Sequence, residues 1–391
     1  MNESACQEFV DASAAMIPRD GDGFTKSSRR LRVAFLTPSL HIGGAERWIL
    51  ALARHFQTVQ PAGVVVCSPH VHPAMLQQAA RLMPVHQARR FGDAEETRAL
   101  LKRACDGADA LITWGVAHLS RVTHDLPLPV IDVSHSDGAW QSQSRLVHCA
   151  AAGADYHVAV SRAALSAFPP DVQPRATVIY NGAEVERACP RRPIAAQRRD
   201  WRVPQSAKVA LFLGRYAEVK RPSRLIGALA HLPPRWHAVL HGHGPLEGAV
   251  RDAADRSGPR CRVRGPLESV GDALAAADVL VMPSAWEGTP LALLEAWLAG
   301  VPAATAPFAF VQETAAVHGP LCETTPAEAT GRQLAEAIVR ADRGAFVDDA
   351  RRIAWQCYTA PAMAQRWEEF LALAVHRWRA CPLDPSKRNR L

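Results

Sequence analysis

Residues 278–302 read DVLVMPSAWEGTPLALLEAWLAGVP. Val279-Leu-Val-Met282 is an apolar run of strand length that closes on Pro283. Such a run is the mark of a strand buried on both faces of a parallel sheet, with helices as crossovers. After a short loop the spacing predicts a helix. Thr289 is a suitable N-cap, with Pro290 at the first helical position. Gly300 fits a left-handed C-terminal cap, with Pro302 just beyond it. Glu287 then lies in the loop before the helix and Glu295 in its second turn, seven residues intervening. A loop-to-helix unit at the carboxyl end of a parallel strand is where open α/β sheets bind ligands. The helix N-terminus favours anionic phosphate, and a nearby carboxylate can accept paired sugar or ribose hydroxyls.

The same alternation runs through most of the 391 residues. A first series of apolar runs is Val33–Leu36, Gly63–Val66, Ala110–Thr113, Val130–Val133 and His157–Val160. A second series is Val209–Leu213, His237–Leu240, Cys261–Val263 and Val279–Met282. Longer helical-period segments separate them, and residues 189–204, CPRRPIAAQRRDWRVP, stand between the two series. Two doubly wound α/β domains joined by a solvated linker are predicted. Near the end, Met363, Trp367, Phe370 and Leu371 line one face of a helix over about residues 362–379.

Three further loops follow strand runs. In Leu213-Gly-Arg-Tyr-Ala-Glu-Val-Lys-Arg-Pro222, Arg215 and Lys220 can neutralise a diphosphate, Arg bidentately and Lys as a point charge. In Leu240-His-Gly-His-Gly-Pro245, two glycines let backbone approach a ligand closely. His241 and His243 also read as half a metal site, without a third ligand at suitable spacing. In Thr37-Pro-Ser-Leu-His-Ile-Gly-Gly-Ala-Glu-Arg47, Gly43 and Gly44 precede an apolar helix whose N-terminus could face phosphate. This loop is not G-x-G-x-x-G, which disfavours a nicotinamide enzyme. His135, after the fourth run, is placed at a strand end beside Asp137, and Tyr180-Asn-Gly182 reads as a turn.

The formal net charge of +7 does not mark a polyanion binder. Residues 189–203 hold five Arg and one Asp, and residues 376–391 hold five Lys/Arg and one Asp, while the stretches between are close to neutral. No basic stripe with interleaved aromatics supports nucleic-acid binding. Nine cysteines without a C-x-x-C pair read as free thiols of a reducing compartment. No stretch approaches 18 continuous apolar residues, and the N-terminus lacks the layout of a signal peptide. A cytoplasmic protein, at most peripheral at the inner face of a membrane, is expected.

Taken in order, G-G-A-E-R after the first strand, G-R-x₄-K, G-H-G-P and E-G-T-P-x₄-E-A-x₃-G-V-P resemble glycosyltransferase family 4 over roughly residues 31–380. The resemblance implies a GT-B fold, two Rossmann-like domains facing a central cleft, with the final helix crossing back onto the first domain. The implied organisation is a mobile leader 1–29, an acceptor-side domain 30–188, a linker 189–204, a nucleotide-sugar domain 205–361, a crossover helix 362–380 and a basic tail 381–391. The tail is a candidate for contact with an anionic membrane.

The implied activity is retaining transfer of a sugar from a UDP- or GDP-sugar to a hydroxyl of a glycan, lipid-linked or small-molecule acceptor. No cofactor or metal is implied, the sugar nucleotide being a co-substrate. Arg215 and Lys220, with Gly214, would clamp the diphosphate, and Glu295 would hold the ribose hydroxyls. Glu287 and the backbone of Gly288, Thr289, Pro290 and Leu291 would meet the donor sugar and phosphates. Gly43 and Gly44 would border the diphosphate from the first domain. His135 would lie by the donor sugar, His243 by the donor, and Arg264 with Gly265 by the nucleobase. Lys220 is followed by Arg221 where many members have Gly. A nucleotide-sugar epimerase, a glycosyl phosphorylase and a non-catalytic sugar-nucleotide-binding protein are the alternatives. G-G-A-E-R with E-x₇-E favours the transferase.

Overall fold

The computed structural model describes residues 29–116, 119–135, 153–267 and 269–381. Most of the expected leader, the basic tail beyond Cys381, and Asp137 lie outside the described residues. The described residues form two compact units, one drawn from 29–181 and 360–381 and one from 182–359.

The first unit carries a seven-stranded parallel sheet in the order β3-β2-β1-β4-β5-β6-β7. Its strands are β1 (Leu31–Thr37), β2 (Val59–Val66), β3 (Val85–Gln87), β4 (Ala110–Trp114), β5 (Val130–Ser134), β6 (Tyr156–Ala159) and β7 (Thr177–Val178). The second unit carries a six-stranded parallel sheet in the order β10-β9-β8-β11-β12-β13. Here the strands are β8 (Lys208–Leu213), β9 (Trp236–His241), β10 (Cys261–Arg264), β11 (Val279–Met282), β12 (Ala303–Thr305) and β13 (Glu323–Thr324). In each sheet the chain winds one way from a central strand and then returns to that strand's other side. The switch points lie between β1 and β4 and between β8 and β11, where crevices open at the strand carboxyl ends.

The expected strand runs all appear. The short strands β3, β12 and β13 were not foreseen, since two or three residues carry little periodic signal. The final helix, Ala360–Ala380, packs in the first unit, and Met363, Trp367, Phe370 and Leu371 are all buried. Trp367 lies 5.5 Å, ring to ring, from Trp48 of the helix Gly44–His55. One carboxylate oxygen of Glu368 accepts the backbone N–H groups of Gln57, Thr58 and Val59 at 2.6, 2.6 and 3.0 Å.

The expected linker is a correction. The unit boundary falls after Asn181 rather than after Ala188, and residues 189–204 are folded into the second unit. They contain the helix Ile194–Trp201, in which Trp201 is buried. The Arg198 guanidinium donates to the carbonyls of Ala276, Gln205 and Ala207 and pairs with Asp278 at 3.0 Å. The Asp272 carboxylate accepts the N–H groups of Arg191 and Arg192. Pro193 occupies the N-cap position, so it opens the helix instead of breaking it.

Cys67, Cys105, Cys189, Cys261, Cys322 and Cys381 are free thiols, whereas Cys357 is disulfide-bonded, a departure from the expectation of free thiols throughout. No helix among the described residues is long and apolar enough to cross a membrane.

Candidate functional site

In the second unit the two strands at the switch point each feed a loop of the site. The loop after β8 carries Gly214 and Arg215 and ends in a 3-10 turn, Glu218–Lys220. Arg221 follows at φ 50°, the left-handed region that glycine adopts at least cost, and it is tethered by an ion pair with Glu328. The loop after β11 carries Ser284 and Glu287, and the N–H of Ala285 donates to the carbonyl of Val219, joining the two loops.

This joining brings Lys220 and Glu287 together. The Lys220 ammonium pairs with Oε2 of Glu287 at 2.5 Å, while the hydroxyl of Ser284 donates to Oε1 at 2.7 Å. Glu287 is only 6% exposed, so the lysine compensates a charge that burial alone would disfavour. Arg215 is exposed, and its guanidinium has no partner among the described residues. One partly buried ion pair, and one cation with no partner among the described residues, thus stand at the ends of adjacent strands.

The helix after Glu287 runs Leu291–Ala299. It starts one residue later than the sequence predicts. Pro290 is the N-cap, in an extended conformation, and no side chain caps the helix. The carbonyl of Pro290 accepts the N–H groups of Leu293 and Leu294. Gly288, Thr289 and Pro290 are buried, Leu291 partly so, and Gly300 closes the helix at φ 71° as expected. Glu295, 5% exposed, has Oε1 bonded to Nε of Arg187 at 2.7 Å. Sequence reasoning missed Arg187. The signal that points to it is physical rather than local: a carboxylate at a buried helix position needs a cation.

The glycines of the His241–Pro245 turn have a role in the packing of the loops themselves. A Cβ at Gly242 would sit 1.9 Å from the carbonyl oxygen of Gly214, and one at Gly244 would sit 2.5 Å from that of Tyr216. Their smallness lets the β9 loop close on the β8 loop, so the close approach is to the protein's own backbone. The carbonyl of His243 accepts the N–H of Tyr216 at 2.8 Å, while the His243 side chain is exposed. The Tyr216 hydroxyl lies 2.9 Å from the carbonyls of both Leu240 and Arg264, which share its one proton, tying the ends of β9 and β10 together.

His241 is engaged at both nitrogens. Trp201 donates its indole N–H to Nε2 at 2.8 Å, which assigns the ring proton to Nδ1, 2.9 Å from the carbonyl of Gly265. Burial pushes its pKa down to about 4, with nearby Arg264 acting in the same sense. This histidine has no nitrogen left for a metal. Among the described residues no three His, Cys, Asp or Glu side chains are grouped to hold one. Arg264 donates to the carbonyl of Asp200 at 2.9 Å and, with Arg192, Trp201 and His241, borders a cavity of about 570 Å³. Gly265 lies at the rim of this strand end with open space where a side chain would be.

In the first unit, Gly43 is the N-cap of Gly44–His55. A Cβ at Gly43 would lie 2.3 Å from a Glu46 carboxylate oxygen, and the other oxygen accepts the Ser39 hydroxyl at 3.1 Å. An acidic side chain therefore already lies against this helix N-terminus. His135 sits just past β5 with its ring edge-on to Trp48 and Trp114, at 4.7 and 5.6 Å. Its Nε2 is buried without a partner among the described residues, and burial pushes its pKa down to about 3, so the imidazole is neutral. Asp132 is buried on β5, and desolvation pushes its carboxyl up to about 7.

Residues 207–341 match the family model described as Glycosyl transferases group 1. D-inositol 3-phosphate glycosyltransferase of Corynebacterium urealyticum is 30% identical over 233 residues, covering 54% of this chain and 53% of that protein. EpsF of Bacillus subtilis is 31% identical over 134 residues, 33% of this chain and 35% of that protein. These matches span between about a third and a half of the curated relatives' lengths. HepE of Anabaena, in a crystal structure with UDP and glucose, superposes with a TM-score of 0.74. It is 21% identical, over 88% of this chain and 100% of that one. The two parallel sheets and this likeness establish the GT-B fold.

Proposed function

We propose that this chain is a retaining, metal-independent glycosyltransferase of family 4 that moves a hexosyl group from a UDP- or GDP-sugar to an acceptor hydroxyl. The observation that carries the reading is the pairing of Lys220 with Glu287 beside the unpaired Arg215, at the switch point of the second sheet. The match of residues 207–341 supports the same reading. The acceptor is a glycan, a lipid-linked saccharide or a small-molecule hydroxyl, and the setting is the cytoplasm or the inner face of a membrane.

The chemistry follows from charge. The bond from the anomeric carbon to the diphosphate oxygen breaks, and the leaving group keeps the electron pair. Arg215, Lys220 and the N-terminus of Leu291–Ala299 stabilise that developing charge. Lys220 has three N–H donors. One is spent on Glu287, which aims the ammonium and leaves two for phosphate oxygens. Ser284 holds Glu287 in turn. The acceptor oxygen bonds to the anomeric carbon on the face the diphosphate leaves, and its proton passes to the departing phosphate oxygen. Glu295 holds the ribose hydroxyls, Arg264 and Gly265 meet the base, and His243, Gly214, Gly288 and Thr289 border the donor. For Gly43, Gly44 and His135, which belong to the first unit, the reading rests on the resemblance to family 4, which assigns the glycines to the diphosphate and the neutral histidine to the donor sugar.

Activity of Glu287→Gln and Lys220→Ala tests the assignment. Each is expected to lower the rate of transfer by roughly 10²–10³ with the fold intact, as loss of a preorganised charged group does. Proton NMR of the product is expected to show the donor's anomeric configuration retained. Inversion, or wild-type rates in both variants, would overturn the reading.

A further inference from the structure

We propose that Arg187 is a positioning residue for Glu295, fixing its carboxylate so that the edge not bonded to the arginine is presented to the vicinal hydroxyls of the donor's ribose. The proposal rests on the reading of Glu295 given above and adds to it a residue that the motif of paired glutamates does not contain.

The geometry is specific to arginine. Arg187 uses Nε, not a terminal nitrogen, to reach Oε1 of Glu295 at 2.7 Å. The guanidinium plane is thereby set against one edge of the carboxylate. Its two Nη groups have no acceptor among the described residues, and no described residue is bonded to Oε2 of Glu295. A lysine would supply the charge without this orientation. The carboxylate is held on a helix whose neighbours are all buried, so it has little freedom except rotation about its own side-chain bonds. A charged hydrogen bond at one oxygen removes most of that freedom.

Arg187 is itself anchored. It lies in the short helix Val185–Ala188, which packs against Leu291–Ala299 and Val270–Ala276. Gly271 permits this packing, for a Cβ there would lie 2.1 Å from the carbonyl oxygen of Cys189. Just upstream, the N–H of Ala183 donates to the carbonyl of Tyr358 at 2.8 Å. The arginine is thus delivered from a fixed backbone to a fixed helix. A carboxylate with one oxygen occupied and the other open can accept from two adjacent hydroxyls in one orientation only.

Isothermal titration of the full chain with UDP and GDP, and with their 2′,3′-dideoxy counterparts, tests this. The wild type is expected to bind its preferred ribonucleotide roughly 10- to 100-fold more tightly than the dideoxy form, the effect of hydrogen bonds to a charged group. Arg187→Gln is expected to reduce that ratio to within about threefold while leaving dideoxy affinity nearly unchanged. Arg187→Lys is expected to restore only part of it. An undiminished ratio in Arg187→Gln would overturn the role of Arg187 alone. Equal loss of both affinities in the two Arg187 variants would also overturn it, assigning the residue to general integrity or to the diphosphate. Wild type that does not distinguish ribose from dideoxyribose would instead overturn the reading of Glu295.

Discussion

Asp132 and His135 stand three residues apart, and burial moves their proton affinities in opposite directions. Asp132 faces Thr113 of β4 and His157 of β6 in register; desolvation outweighs its hydrogen bond from the backbone of Val133. Its carboxyl is raised from 3.8 to about 7, so the folded chain holds that proton where the unfolded chain has released it. Stability contributed at this residue is therefore present at acid pH and lost as pH rises toward 7. His135 is the reverse case, lowered from 6.5 to about 3, and its contribution is lost as pH falls below 6.5. Asp132→Asn removes the first effect alone. Thermal melts of this variant are expected to gain on the wild type by up to about 4 kcal/mol at pH 8, with the gain vanishing near pH 4. A difference that does not vary with pH would show that Asp132 is not protonated by its surroundings.

Among the elements, the final helix completes the core of the first unit. Trp367 is fully buried and lies against Trp48, which in turn lies against His135. Trp367→Ala is expected to cost about 3–5 kcal/mol by denaturant unfolding, the usual range for such a truncation. A loss under about 1 kcal/mol would mean that the helix is not integral to that core. This helix was legible because Met363, Trp367, Phe370 and Leu371 repeat at helical spacing. The segment 189–204 was not, since its arginines and prolines have the composition of solvated chain. Only the fold supplies Asp278, Asp272 and three carbonyls as partners. The start of Leu291–Ala299 was misplaced by one residue for a smaller reason. Pro290 has the fixed φ of a helical residue but an extended ψ of 109°.

At the scale of the whole molecule, the apolar runs announced two parallel sheets but not their strand order. Lys220 and Glu287 each read as a ligand contact at a strand end. Their pairing depends on β11 lying beside β8, an adjacency 67 residues apart in sequence and invisible to periodicity. Arg187 was missed for the same reason, being 108 residues from Glu295. The net charge of +7 also changes meaning, because two arginines of its middle cluster, Arg192 and Arg198, are bound internally to Asp200, Asp272 and Asp278. Arg215 stays exposed at the site, with no partner among the described residues. The central claim is that Arg215 and Lys220 supply the charge that stabilises a departing nucleoside diphosphate as its sugar passes to an acceptor hydroxyl. Phosphorus NMR of the full chain with UDP- and GDP-sugars, in the presence of a metal chelator and with or without a mixture of glycan acceptors, tests it most directly. The account predicts diphosphate release from one donor that depends on acceptor, persists in chelator and is abolished in Arg215→Ala/Lys220→Ala. Release that is indifferent to acceptor, or that the double variant retains, would contradict it.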